Sequence, residues 1–235
     1  MPIPAKELVD ASYLSLMVEA DSKVGKSQSI GQSLIKAFGL IYIIECGTSS
    51  ALKPLQRVTQ KFEYDLIREE NDMENAIRAA RKGVEADKFK AIFLDDYNLF
   101  ASELQVELNK KMASDKTGNS DGRAVWWEYR KRVLNICRRL MDIETHFVMA
   151  CHPGSFLGKA GNDMPGVFDD VVHMKKDNSG NRIFQINGDS EPGRGSRSIK
   201  GEHKIEADVG VFWKLAQLST EEQHARSRQG QKGSK

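Results

Sequence analysis

The sequence predicts an α/β domain, a three-layer α-β-α arrangement around a mostly parallel sheet that further strands extend toward the C-terminus. Three observations carry this. Short apolar, β-branched runs alternate with helical patterns from Tyr13 to Cys151. Runs such as IYIIEC (41–46) and FKAIFL (89–94) are nearly continuous rather than strictly alternating, as strands buried on both faces require. The polar residues that end these runs, Glu45, Asp95, Asp96 and His152, all fall at carboxyl ends of strands, where open parallel sheets bind their ligands.

The residues before Ser12 read as a short lead-in with two prolines. Tyr13 to Glu19 is the first strand, and Lys26 to Phe38 the helix after it, with Gly39 as its C-cap. Ile41 to Cys46 is a central parallel strand, followed by a loop over Gly47-Thr48-Ser49-Ser50. Thr59 to Ile67 alternates weakly and reads as a strand leading to an edge position. Asp72 to Ala86 is a helix with Met73, Ile77, Ala80 and Val84 on one stripe. Phe89 to Leu94 is the third buried strand, and Tyr97 to Met112 is helical.

Ala113 to Gly122 (ASDKTGNSDG) is loop-like. The best periodic pattern runs from Val125 to Ile143, where Trp126, Tyr129, Val133, Cys137, Leu140 and Ile143 recur at threes and fours. His146 to Cys151 is the fourth buried strand, expected beside the strand that ends at Asp95. Ser155 to Gly166 is loop-rich, and Val171–Lys175, Arg182–Asn187 and Val209–Leu215 are three later strands. Between the last two lies the Gly-, Ser- and Arg-rich segment GDSEPGRGSRSIKGEHK. The chain therefore divides into one domain over residues 1–218 and a polar, basic tail over 219–235 that is expected to be disordered.

Composition narrows the class without naming it. At 235 residues with 40% hydrophobic and 29% charged content, the chain suits one generous soluble domain. No apolar run is long enough to span a bilayer, and MPIPAKEL carries no signal-peptide core. Cys46, Cys137 and Cys151 are scattered, without a CxxC pair, which fits a reduced cytoplasmic setting and no membrane. A net charge of +2 is too small to imply a nucleic-acid partner, so that case rests on local patches.

The chemistry starts where the first strand turns into the first helix. The loop Ala20, Asp21, Ser22, Lys23, Val24 and Gly25 leads into Lys26, Ser27 and Gln28. Such a turn holds a triphosphate: backbone N–H groups and the helix N-terminus face the anion, Lys26 reaches the β/γ-phosphates, and Ser27 gives Mg²⁺ an oxygen. Ala20 stands where the usual pattern opens with Gly, which is tolerable if its φ stays negative. Asp95, after four apolar residues, is the expected magnesium acid, since Mg²⁺ keeps several waters and takes few carboxylates.

Hydrolysis also needs a group that orients or deprotonates water, and two candidates stand. Glu45 ends the second strand and Asp96 follows the magnesium acid; strand parity would send Asp96 away from Asp95, favouring Glu45. His152 is placed either to meet the γ-phosphate or the water, or to cap a turn before Pro153. His146, His173, His203 and His224 show no ligand spacing and read as surface residues. Arg130, Lys131, Arg132, Arg138 and Arg139 read as a solvated helix face. Arg194, Arg197, Lys200 and Lys204 lie in the Gly-rich segment, suited to DNA phosphates or to a neighbouring subunit's nucleotide.

Taken together, strand–ADSKVGKS–helix, IYIIEC, FLDD and HFVMACHP resemble the RecA-like core of phage-encoded P-loop ATPases. These are the Sak-type single-strand annealing and recombination ATPases and the phage nucleotide-binding AAA-domain group. The resemblance covers about Tyr13 to Leu215. It implies a RecA-like fold, ATP and Mg²⁺ as ligands, Glu45 positioning the attacking water, Asp95 on the metal, and His152 as a γ-phosphate sensor. It also implies single-stranded DNA as partner, a homo-oligomeric ring or filament, a single-strand binding protein as a further partner, and the host cytoplasm as the site of action. Asp96 departs from the family, where Ser or Thr is common. Two other readings fit a phosphate loop: a small-molecule kinase with the Arg194–Lys204 segment as lid, and a nucleotide-binding module without turnover. A GTP switch fits poorly, because Asn109-Lys110-Lys111-Met112 lacks the acid of the base-reading motif.

Overall fold

The strands are β1 (Ser15–Ala20), β2 (Ile41–Glu45), β3 (Phe62–Leu66), β4 (Ala91–Asp95), β5 (His146–Cys151), β6 (Asp170–Lys176), β7 (Arg182–Ile186) and β8 (His203–Glu206). The computed structural model describes residues 13–21, 23–114, 122–153, 160, 163–186, 199 and 202–218. All eight strands join one sheet in the order β3-β2-β4-β5-β1-β6-β7-β8. The six strands from β3 to β6 are parallel, and β7 and β8 add antiparallel pairs at one edge. As expected, β5 lies beside β4; it also lies beside β1.

The helices are α1 (Lys26–Phe38), α2 (Ser49–Gln56), α3 (Glu70–Glu85), α4 (Tyr97–Ser114), α5 (Gly122–Met141) and α6 (residues 209–218), with a short 3₁₀ turn at Pro165–Val167. They divide between the two faces. Ile30, Leu34, Leu52, Leu55, Val209 and Phe212 bring α1, α2 and α6 onto one core. Met73, Ile77, Phe100, Leu104, Val133 and Leu140 bring α3, α4 and α5 onto the other. Ile41 and Ile43 of β2 point to the first core and Tyr42 and Ile44 to the second, so the run is covered on both faces up to Ile44. At the edge, β3 carries exposed Glu63 and Tyr64. Gly39 ends α1 at φ 91°, its N–H bonded to the Ile35 carbonyl at 3.0 Å.

Several elements differ from the sequence reading. Residues 209–218 are helical, not a strand. Asp208 caps this helix: its Oδ1 accepts the N–H groups of Gly210 (2.8 Å) and Val211 (3.2 Å). Val209, Phe212 and Ala216 are the buried positions, a spacing of three and four that the apolar content of the run conceals. The preceding strand is β8, inside the segment read as a loop; it forms because His203 to Glu206 pair with Ile186 to Ile183. Ser49 and Ser50 start α2 rather than belonging to a loop, and α2 is held by Leu55 against Gly31 of α1.

On α5, Val125 is buried and Trp126 is 44% exposed, lying edge-on against Tyr129, so the stripe begins one residue earlier than the periodicity suggests. Its basic residues are not simply solvated. Arg132 bonds Glu70 (2.8 Å) and Arg139 bonds Glu74 (2.7 Å on Nη2), linking α5 to α3, and Arg130 pairs with Asp163. Lys131 and Arg138 remain exposed. His146 is half-buried, stacked on Phe38 with ring centres 3.9 Å apart, and its Nδ1 accepts the Leu14 N–H at 3.1 Å. Burial pushes its pKa down to about 4. Among the described residues no helix is long and apolar enough to cross a membrane.

The lead-in over residues 1–12, the loop over 115–121, most of the segment over 154–162 and the tail over 219–235, with His224, lie outside the described residues. If Asp208 caps α6, Asp208→Ala should lower stability by about 1 kcal/mol in chemical denaturation. Lys36→Ala should change little, because Lys36 is mostly exposed where it pairs with Asp208 (2.9 Å). Equal effects of the two substitutions would mean that the ion pair, not the cap, holds the helix.

Candidate functional site

The site is assembled where β1, β2, β4 and β5 end. Ala20 is the last residue of β1, buried and in register with Met174 of β6. It is extended, so a side chain at this position costs nothing and an opening glycine is unnecessary. The left-handed turns come later, at Lys23 (φ 65°) and Gly25 (φ 89°). Gly25 is the N-cap of α1, no side chain caps that end, and its first turn holds no acid. The end of α1 therefore presents unsatisfied N–H groups and a partial positive charge. Asp21 and Lys23 are exposed, Val24, Ser27 and Gln28 half-buried, and Ser22 lies outside the described residues.

Lys26 projects from the first turn of α1 and is buried, its ammonium paired with Asp96. Parity alone would have turned Asp96 away. The strand, however, stops at Asp95, and Asp96 takes φ 50°, which returns its carboxylate to Lys26. The expectation that Asp95 and Asp96 separate thus fails, for a backbone reason that a strand pattern does not contain. His152, half-buried at the end of β5, joins the same group: its Nδ1 lies 3.1 Å from the Ala20 carbonyl and its Nε2 3.8 Å from Asp96 Oδ1.

Glu45 and Asp95 are register partners on the adjacent strands β2 and β4. Each stands two residues beyond one that faces the α1 core, Ile43 and Phe93, so both carboxylates point to the side of Lys26 and Ser27. Both are fully buried. Glu45 Oε1 accepts the Gly47 N–H at 2.6 Å, and Asp95 Oδ1 accepts the Asp96 N–H at 3.0 Å. Glu45 Oε2 and Asp95 Oδ2 have no complete hydrogen bond among the described residues, although the Ser27 hydroxyl lies against Asp95 and favours its ionised form. Gly47 fits between the acids: a Cβ there would stand 2.7 Å from Glu45 Oε1 and 3.1 Å from Asp96 Oδ2.

Burial and crowding set the protonation. Glu45 is pushed up to about 8, first by loss of solvent and then by the Asp95 and Asp96 charges, against the pull of the Gly47 N–H and Lys26. Asp95 is pushed up to about 6, again first by burial and then by Asp96, with Lys26, Ser27 and the Asp96 N–H opposing. Two buried acceptor atoms facing a lysine and a serine suit a divalent cation carried on a phosphate. Among the described residues no group of three or more His, Cys, Asp or Glu could hold a metal alone. One carboxylate and one hydroxyl are what Mg²⁺ takes when the substrate supplies the rest.

The sequence-predicted residues Lys26, Ser27, Glu45, Asp95, Asp96 and His152 are thus brought together, while Arg194, Arg197 and Lys200 lie outside the described residues. Two residues were missed. Arg182, opening β7, donates from Nε to the Val24 carbonyl at 2.8 Å. Glu19, buried in β1, lies 3.2 Å from His173 Nδ1 on the opposite face of the sheet. Neither has a local motif; the acid inside the apolar run LMVEA was the available signal for Glu19. Compared with known proteins, the chain matches no family model and no curated protein.

The raised Glu45 value fixes a sign for stability. Between an ordinary glutamate pKa and about 8, the folded protein holds a proton that the unfolded chain has released. The Glu45 contribution is therefore fully present below about pH 4.5 and lost as pH rises toward 8. Thermal melts of Glu45→Gln should show stabilisation relative to the parent that grows from pH 5 to pH 8. A constant difference across that range would mean that Glu45 is not the buried titrating group.

Proposed function

We propose that the chain is a RecA-like P-loop ATPase that binds ATP with Mg²⁺, hydrolyses it, and works with single-stranded DNA in recombination, repair or replication. The observation that carries the hydrolytic reading is the pairing of buried Glu45 and Asp95 on adjacent strands, facing Lys26 and Ser27 at the head of α1. A phosphate loop by itself needs only the loop and the lysine; the second buried acid is what hydrolysis adds. The placement of β5, with His152, between the phosphate-loop strand and the Asp95 strand supports the RecA-like resemblance. The DNA reading rests on that resemblance and on Arg194, Arg197 and Lys200.

On this reading the loop N–H groups and the N-terminus of α1 bind the phosphates, and Lys26 exchanges its bond with Asp96 for one with a phosphate oxygen. Ser27 and Asp95 would hold Mg²⁺, which neutralises charge on the transferred phosphoryl group when bound. Glu45 orients the water and accepts its proton; burial, which raises its proton affinity, suits it to that role near neutral pH. His152, tied to the Ala20 carbonyl, faces the region of Asp96 from the neighbouring strand and can report on the terminal phosphate.

The test is ATP turnover with and without single-stranded DNA. Added DNA should raise the rate, Lys26→Ala should abolish turnover, and Glu45→Gln should keep ATP binding while lowering kcat by about 10²-fold or more. The parent kcat/KM should rise with pH and level off above about 8 as Glu45 ionises, a limb absent from the residual activity of Glu45→Gln. ATP binding without turnover in any condition would replace this reading with a nucleotide-binding module. Binding to DNA that is insensitive to salt would remove the phosphate-dominated partner.

A further inference from the structure

Arg182 reaches the phosphate loop from the antiparallel edge of the sheet. Its Nε donates to the Val24 carbonyl at 2.8 Å, across 158 residues of sequence. The guanidinium lies against Gly25, where a Cβ would come within 2.5 Å of Nη2 and 2.9 Å of Cζ. Gly25 is thus required twice, by its φ of 89° and by the group packed on it. Among the described residues no carboxylate forms an ion pair with Arg182.

The arginine is also held firmly from behind. It pairs with Lys176 across β6 and β7, and its carbonyl accepts the Ala207 N–H at 3.0 Å, just after β8. β6 in turn pairs with β1, the strand that leads into the loop. The guanidinium is therefore aimed by the sheet, and its target is one peptide unit. That unit is planar, and in a trans peptide the C=O and N–H point in opposite directions. Fixing the Val24 carbonyl on Arg182 fixes the Gly25 N–H pointing away from it, and blocks a flip of the peptide.

We infer that Arg182 is a positioning residue of the phosphate loop: it locks the Val24–Gly25 peptide in the orientation that leaves the loop's N–H groups available to a polyphosphate, and couples the loop to β7 and β8. The inference rests on the phosphate-loop reading above for its ligand, but not for the lock itself. A charged donor on a carbonyl is among the stronger hydrogen bonds, so its loss should be felt locally.

The experiment is hydrogen–deuterium exchange on the full chain without nucleotide, followed by MgATP titration, for Arg182→Lys and Arg182→Gln. Both variants should speed exchange of the Val24–Ser27 amides by about tenfold, with the amides of β2 and β4 unchanged. MgATP affinity should fall by about tenfold, with kcat at saturation changed much less. Millimolar guanidinium, but not the same concentration of sodium chloride, should restore part of the affinity. Lys176→Ala, which removes a neighbouring charge and leaves the contact, should change neither reading. Parent-like exchange in both Arg182 variants overturns the lock. Faster exchange with unchanged ATP affinity overturns its role in binding. If the parent binds no MgATP, the nucleotide reading fails, and the exchange data still decide whether Arg182 holds the loop.

Discussion

Glu45 and Asp95 stand side by side on neighbouring strands, both out of solvent, with a third carboxylate, Asp96, next to them. Lys26 is paired with Asp96, so positive charge at this edge is in deficit if all three acids ionise. Burial first, and then the crowding of like charges, push both Glu45 and Asp95 above ordinary carboxylate values. On the proposed reading, a divalent cation carried by the nucleotide takes the place of the protons these acids hold. The arrangement costs stability, and the apolar faces of the sheet must supply what it loses.

The fold is arranged to meet this constraint. The acids are neighbours only because β2 pairs with β4 in parallel, with Glu45 and Asp95 at the same level. They face a lysine only because α1 starts on that side of the sheet, after β1, which β5 separates from the Asp95 strand. The backbone adapts at three points. Asp96 turns left-handed to reach Lys26, Gly47 leaves room between two carboxylates, and Gly25 leaves room for Arg182. All three points lie where the chain brings charge together, and at Asp96 the left-handed backbone is the kind of local strain that serves a site.

Most of this order was legible in the sequence because buried parallel strands announce themselves. The bounds of α1 and β5 follow directly from their apolar patterns, and the ends of β2 and β4 are marked by Glu45 and Asp95. What was hidden depends on partners distant in the chain. The 209–218 segment is apolar enough to read as a strand until Asp208 is recognised as a cap, and β8 exists only through its pairing with β7. His146 looks like a surface residue until Phe38 stacks on it, and the arginines of α5 look solvated until Glu70 and Glu74 of α3 meet them. Arg182 could not be found by pattern, since its target is 158 residues away.

The same geometry separates the two acids that sequence left in competition. Asp96 is partly exposed, bonded to Lys26 and within 3.8 Å of His152, so its carboxylate is already engaged with a cation at the mouth of the loop. Glu45 is buried, its Oε2 has no hydrogen bond among the described residues, and its other oxygen accepts the Gly47 N–H. A base that takes a proton from water needs an available oxygen and a raised proton affinity, and Glu45 has both. On the proposed reading the roles therefore divide: Asp96 governs where Lys26 lies, Asp95 takes the metal, and Glu45 takes the proton. The left-handed turn at Asp96 makes that division possible, because an extended residue there would have left Lys26 without its carboxylate partner.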